Sequence, residues 1–484
     1  MYYKLKANTF FRNYDNIGYM INIPNNSDRV VNESGALFLS LLSYNPKSLE
    51  ELSNIALSKF INVSLDELQS DMKDFYDRFY FEDFLIRGES KEECNNSEII
   101  PISNSTIKNQ FNSYEMQNNI GTQEFLEKYF AKNPCLLNFQ IELTSKCNER
   151  CIHCYIPHED KLYNIDENLY YDTIKQLKDI GIISVSLSGG EPMLHPNFLQ
   201  FLKYAQDSDF YVKVFTNLTL LNEEIIKLMN NNRTSVYVSL YSMNEINHEK
   251  ITQMKGSFNK TKSNILKLIE NNIPVHINCP IMDYNKNDYE DVYKWAKSFN
   301  LEVRVDYDIM ARCDLTTDNL EHRLKTEEME NIIVNILDNN KENQKRIVSK
   351  ELNKNKEYIS DRDLCGACIT SCCMDSKGNV YPCTGWNYNC GNLNEVSLRN
   401  IWEKSPQMLY IRSLKRKDFN KCVDCKDIDY CFMCMAKNAN ESKTGNPLEI
   451  NSHFCDVARV NRQVVENWRE KNNSVNKDLN ELAI

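Results

Sequence analysis

Three closely spaced cysteines, Cys147, Cys151 and Cys154, carry the most specific chemistry in the chain. They lie in Thr144-Ser-Lys-Cys147-Asn-Glu-Arg-Cys151-Ile-His-Cys154-Tyr155, a C-x3-C-x2-C loop directly after the strand-like run LLNFQIEL. Three thiolates on one short loop can hold three corners of a four-iron cluster and leave one iron open to a further ligand. Zinc would ask for a fourth protein ligand, and His153, set between Cys151 and Cys154, is awkwardly placed to supply it. Further along comes Ser188-Gly189-Gly190-Glu191-Pro192, at the end of the run SVSLS. Its glycines let the backbone approach a ligand closely, and the Glu191 carboxylate can accept hydrogen bonds from an ammonium group.

A second concentration of thiols lies near the carboxyl end. It reads Cys365-Gly-Ala-Cys368, then Gly378-Asn-Val-Tyr-Pro-Cys383, then Cys422-x2-Cys425-x5-Cys431-x2-Cys434, and finally Cys455. By spacing alone the paired C-x2-C elements suit zinc knuckles or iron–sulfur clusters. The amino-terminal stretch MYYKLKANTFFRNYD has no basic segment followed by an apolar core, and no run reaches the roughly 20 apolar residues of a membrane span. A cytoplasmic location without a membrane partner is therefore expected. In that reducing compartment the 18 cysteines should serve metal ligation where they cluster, and packing elsewhere. Cys94, Cys135, Cys279, Cys313, Cys372, Cys373 and Cys390 belong to neither pattern clearly. The net charge of −11 argues against a nucleic-acid partner, which would need a cationic footprint.

What positions these groups can be read from periodicity. At 484 residues the chain should form several domains. Residues 1–92 begin with strand-like runs at Tyr2–Lys6 and Gly18–Ile23, then turn helical, with capping boxes at Ser48/Glu51 and Ser64/Glu67. Residues 93–130, rich in Asn, Ser and Gln, read as a linker. Across 131–355, β-runs LLNFQIEL, SVSLS, YVKVF, SVYVSLY, PVHIN and EVRVDY alternate with amphipathic stretches, which predicts parallel strands with helical crossovers. Six such units make a partial (β/α)6 TIM-like barrel of the α/β class, with chemistry at the carboxyl ends of the strands. Residues 356–475 lose periodicity as a cysteine-rich domain organised by metal sites should, and 476–484 form a tail.

The cysteine loop together with Gly189-Gly190-Glu191-Pro192 resembles the radical S-adenosylmethionine (SAM) superfamily from about Leu136 to Asp308. The resemblance implies that Cys147, Cys151 and Cys154 hold a [4Fe-4S] cluster whose open iron takes SAM. It also implies that Gly189, Gly190, Glu191 and Pro192 hold the SAM amino group, with Thr216-Asn217 near its ribose and Ser239 at its carboxylate or ribose. The fifth strand, HINCPIM, departs from the Gly-rich adenine-contacting pattern, so Asn278 receives no role, and His195 reads as a packing residue. The carboxyl-terminal block resembles the SPASM domain, with one residue fewer before Cys434 than the family pattern. That domain implies two auxiliary [4Fe-4S] clusters, one on Cys365, Cys383, Cys434 and Cys368, the other on Cys422, Cys425, Cys431 and Cys455. Residues 1–92, most visibly Val30-Val31-Asn32-Glu33-Ser34-Gly35-Ala36-Leu37, resemble the winged-helix-like α+β PqqD element that binds leader peptides. Together these resemblances imply a radical SAM/SPASM maturase that forms Cys thioether crosslinks in a ribosomally made precursor peptide, served by an external flavodoxin or ferredoxin. Carbon–carbon or ether crosslinking is the alternative chemistry. A non-catalytic peptide-binding or electron-transfer protein is the alternative class, but such a protein has no need of a SAM site.

Overall fold

The computed structural model describes residues 1–14, 17–23, 27–97, 122–160, 162–339, 364–419 and 421–472. In the amino-terminal module, β1 (Tyr2–Leu5) pairs with β5 (Lys47–Ser48) and β6 (Leu85–Gly88), while β2 (Thr9–Tyr14), β3 (Ile17–Asn22) and β4 (Ser27–Val31) form an antiparallel meander. Three helices, Glu33–Ser40, Leu49–Leu57 and Leu65–Phe81, pack beside them. Each starts at a side-chain cap: Asn32, Ser48 and Ser64 accept from the backbone N–H groups of Gly35, Glu51 and Glu67. These caps satisfy donors that the first helical turn leaves without intrahelical partners. Strands β2 and β4–β6 lack a legible alternation in sequence and become strands through their pairing.

The barrel consists of six parallel strands, β7 (Asn138–Thr144), β8 (Ser184–Gly189), β9 (Tyr211–Thr216), β10 (Thr234–Ser239), β11 (Val275–Pro280) and β12 (Glu302–Asp306). Phe139, Ile141, Leu143, Val185, Leu187, Val212, Val214, Val236, Val238 and Ile277 join the main buried core. The alternate positions point to the other face of the sheet and carry Gln140, Glu142, Ser186, Lys213, Phe215, Tyr237 and His276. Phe215, Tyr237 and His276 are in register on three neighbouring strands and stack with ring centroids 4.7 and 4.5 Å apart. A sheet with one apolar and one polar face is therefore rolled around a polar lumen.

The sheet does not stop at the barrel. β13 (Ser371–Met374) adds in parallel to β7, and β14 (Asn379–Tyr381) and β15 (Gly391–Asn392) continue it antiparallel, giving the order β12-β11-β10-β9-β8-β7-β13-β14-β15. The cysteine-rich domain, expected to lack regular structure, thus extends the sheet along the edge β7 would otherwise expose. The segment read as a linker differs too, since its end forms a helix, Thr122–Lys132. That helix buries Leu126 and Phe130 against Phe10, Tyr19, Leu137, Ile183, Tyr211 and Ile369. Residues 98–121, the expected boundary near 355 and the tail 476–484 lie outside the described residues.

The amino-terminal module is seated at the barrel's base, where the strands begin. Arg12 donates from Nε to Gly181 O at 2.9 Å, and from Nη2 to Ile182 O at 2.7 Å and Asp209 O at 3.1 Å. Arg233, just before β10, donates to Ala7 O at 2.9 Å, pairs with Asp209 and lies 4.0 Å from the Tyr44 ring centroid. Hydrogen bonds to charged groups are worth about 1.5–3 kcal/mol each, more than neutral ones. Arg12→Ala should therefore loosen the module by roughly 1–3 kcal/mol, read as a lower melting temperature and faster proteolytic release of the amino-terminal fragment. A variant as resistant as the parent would show that the apolar contacts alone hold the module.

Candidate functional site

The three cysteines sit on the loop that leaves β7, at the carboxyl end of the barrel. Cys147, Cys151 and Cys154 are all half-buried. Burial drives the Cys151 thiol well above its ordinary pKa, reinforced by the neighbouring Glu149 carboxylate and by Cys154 and Cys147. Cys151 Sγ lies 3.4 Å from Glu149 Oε2 and 4.0 Å from Tyr241 Oη. The ring of His153 packs edge-on against Tyr241 at 5.0 Å. Three soft thiols that sense one another at the open end of a barrel fit an iron–sulfur cluster with one free iron. Among the described residues no three His, Cys, Asp or Glu side chains converge as they would on a single metal ion.

Gly189 and Gly190 are demanded by the protein's own backbone. A Cβ at Gly189, where φ is +138°, would stand 2.1 Å from Thr144 O, and one at Gly190 2.3 Å from Lys146 O. The same close passage makes two hydrogen bonds of 2.8 Å, Gly190 N to Thr144 O and Glu191 N to Lys146 O. Glu191, the carboxylate beside these glycines, follows directly on this passage. It is fully buried, with Oε1 accepting from Thr216 Oγ1 at 2.8 Å and Met193 N at 3.1 Å, and Oε2 from Asn217 N at 2.8 Å. Burial pushes its pKa up to about 7 although these bonds pull it down. Its work is to brace the ends of β8 and β9, while Pro192 opens the short turn that follows.

Asn217 ties that brace to the cysteine loop. Its Nδ2 donates to Asn148 Oδ1 at 2.9 Å, and its Oδ1 accepts from Thr219 N and Oγ1. Asn148, beside Cys147, closes the ring by donating to Thr219 Oγ1 at 2.7 Å. Sequence reasoning passed over Asn148, whose only signal is its place next to a ligand. Ser239 ends β10 and hydrogen-bonds the Tyr241 side chain. His195 is buried and stacks near Phe201 at 4.7 Å, a packing role.

The carboxyl-terminal thiols form three groups rather than two. Cys383 neighbours Cys434 and Cys365, while Cys422 neighbours Cys431, Cys455 and Cys425. Cys368 is not placed with Cys383. A left-handed backbone, φ +60°, turns it inward, where it is fully buried, shares a hydrogen bond with Cys390 and faces Cys372. The thiol of β13 that senses Cys383 is Cys373. Of the unassigned cysteines, Cys94 and Cys279 are buried packing thiols. This domain is latched to the barrel through Asp308, which pairs with Lys437 at 3.1 Å, His453 at 2.9 Å and Arg323 at 3.3 Å.

Between the cysteine loop and the β13–β14 hairpin is a cavity of about 200 Å³ lined by Glu142, Tyr163, Cys313, Cys373, Asp375, Tyr381 and Trp386. Glu142 was not singled out from sequence, and only its inward phase on β7 could have marked it. Burial pushes its pKa from 4.5 up to about 8, helped by the nearby Asp375 carboxylate. Between those pH values the folded chain holds a proton that the unfolded chain has lost, so rising pH destabilises the fold by about 1.4 kcal/mol per unit. Glu142→Gln should therefore melt like the parent near pH 4.5 and clearly higher above pH 8, by thermal melting across that range. Equal melting of the two proteins at high pH would show that the carboxylate is better solvated than its surroundings imply.

Comparison with known proteins agrees with this geometry. The radical SAM superfamily pattern matches residues 141–296, and that of an iron–sulfur cluster-binding domain, SPASM, matches residues 365–426. The chain is 26% identical to the antilisterial bacteriocin subtilosin biosynthesis protein AlbA of Bacillus subtilis, over 64% of this chain and 69% of that protein. It is 25% identical to an AdoMet-dependent heme synthase of Methanosarcina barkeri, over 64% of this chain and 93% of that one. In fold it is similar to Streptococcus suis SuiB bound to its precursor peptide SuiA, with a TM-score of 0.59, 16% identity, and coverage of 93% of this chain and 99% of SuiB. Among the described residues no helix is long and apolar enough to cross a membrane. The cysteine loop, the braced glycine turn and the thiol groups that follow are therefore those of a radical SAM domain and a SPASM domain, with SAM and [4Fe-4S] clusters as their cofactors.

Proposed function

We propose that this chain is a cytoplasmic maturase of a ribosomally synthesised precursor peptide, which it crosslinks through intramolecular Cys thioethers. The observation that carries this reading is the extent of the likeness to SuiB, a protein whose structure holds a precursor peptide. At 93% of the chain it must take in most of the amino-terminal module as well as the barrel and the SPASM domain. AlbA, named for bacteriocin biosynthesis, supports the same substrate class. On this reading residues 1–92 are a PqqD-like leader-binding unit, 131–355 do the chemistry and 356–475 hold two auxiliary clusters. An extended leader suits the outer edge of β4, which has no strand partner among the described residues.

Cys147, Cys151 and Cys154 would hold the cluster to which SAM binds, and SAM so bound would supply radical chemistry for removing a hydrogen atom from the substrate. The chain's own residues hold and orient the reacting groups. Cys147, Cys151 and Cys154 present the cluster, the Glu191–Thr216–Asn217 brace fixes the strand ends around it, and the cavity beside Glu142 receives the peptide. A flavodoxin or ferredoxin is the expected source of electrons. Because a thioether link is an oxidation, the carboxyl-terminal thiols are the residues that would hold the clusters it calls for.

Anaerobic reconstitution should yield about twelve irons per chain, from three four-iron clusters. Replacing Cys147, Cys151 and Cys154 with Ala should abolish SAM cleavage, while replacing Cys422 and Cys425 should leave some uncoupled cleavage. Mössbauer spectra showing one cluster, with zinc elsewhere, would contradict the auxiliary assignment.

Coexpression with short Cys-containing reading frames encoded nearby tests the bond. The product should lose about two hydrogens per link and resist thiol alkylation, as read by tandem mass spectrometry. The same mass loss with every cysteine still alkylatable would establish a carbon–carbon or ether link instead.

A further inference from the structure

The segment that follows β12 takes three consecutive carbonyls of the cysteine loop. Asn319 Nδ2 donates to His153 O at 3.3 Å, Arg312 Nη1 to Cys154 O at 2.7 Å, and Cys313 N to Tyr155 O at 2.9 Å. These donors are themselves held. Asn319 Nδ2 also meets Met310 O at 2.8 Å, and Arg312 forks through Nε and Nη2 onto the two Asp318 carboxylate oxygens at 2.9 Å each. The two ends of this ion pair differ in surroundings, since the Arg312 side chain is 9% exposed and that of Asp318 67%. Water weakens the field of the exposed carboxylate more than that of the inward guanidinium, so Asp318 cancels only part of the positive charge felt by the loop. An inward positive charge hydrogen-bonded to the peptide of Cys154 stabilises added negative charge at that cysteine's ligand shell. Hydrogen bonding and local charge are among the levers that set iron–sulfur potentials.

We infer that Arg312 is a positioning residue that fixes the carbonyls of the cysteine loop and raises the reduction potential of the cluster held there. The inference rests on the reading that Cys147, Cys151 and Cys154 carry that cluster. It also explains why Arg312 is kept inside the protein with its partner outside, an arrangement that loop stability alone does not require. Asn319 and the Cys313 amide serve the same loop as neutral donors, so the charge effect belongs to Arg312.

A redox titration of the reconstituted full-length protein, followed by the paramagnetic signal that changes when SAM is added, isolates this cluster from the others. Arg312→Gln should lower the reduced-to-oxidised ratio at a fixed solution potential about tenfold, equivalent to about 59 mV for a one-electron couple. Arg312→Lys should restore most of that loss, and Asp318→Asn, which frees the guanidinium from its counter-charge, should shift the ratio the opposite way. Amides of residues 153–156 should also exchange hydrogen faster in Arg312→Gln. Should Arg312→Gln fail to retain iron, Asp318→Asn decides. Variants that keep full iron and titrate like the parent would overturn the inference, whereas a parent protein without a SAM-sensitive cluster would overturn the reading beneath it.

Discussion

A single buried carboxylate organises the carboxyl end of the barrel. Glu191 has no access to solvent, and each of its oxygens is spent on a group from a strand end: the Thr216 hydroxyl, the Asn217 amide and the Met193 amide. Leaving a buried carboxylate without such donors would cost several kcal/mol, so the ends of β8 and β9 are held in one arrangement or not at all. The glycines before it allow the chain to pass within hydrogen-bonding reach of Thr144 and Lys146. That passage seats the cysteine loop on the brace.

From this centre two further couplings extend through the molecule. The Asn148–Asn217–Thr219 ring joins the loop to β9. On the far side Arg312 and Asn319 hold the loop to the segment after β12, and Asp308, four residues before Arg312, is latched to Lys437 and His453 of the SPASM domain. The cysteine loop is thus gripped by the end of β9 on one side and by the segment after β12 on the other, and that segment is in turn latched to the carboxyl-terminal domain. The amino-terminal module is attached at the opposite end of the barrel, by Arg12 and Arg233 to backbone carbonyls. A peptide bound to that module would have to run the length of the barrel to reach the loop.

Physical reasons separate what was legible from what was not. The six barrel strands could be read because each places apolar residues on a helix-covered face, and that phase is written locally. β13 could not, because Ser371–Met374 becomes a strand only by pairing with β7. The helix Thr122–Lys132 was hidden in a polar stretch, since its stability comes from Leu126 and Phe130 meeting residues of three other domains. Cys368 differs for a related reason: the resemblance to the SPASM domain groups it with Cys383, whereas its left-handed backbone turns it toward Cys390.

By itself the sequence determined the chemistry of the cysteine loop, the glycine turn and the alternation of strands and helices. Each of these depends on residues near one another in the chain, where spacing dictates geometry. Tertiary structure alone decided what surrounds them. It showed that Glu191 faces inward as a brace, that the sheet crosses from barrel to SPASM domain, that Glu142 lines a cavity, and that Arg312 grips the loop from more than a hundred and fifty residues away. Long-range partners such as these leave no periodic trace, because a contact between distant residues constrains each of them singly.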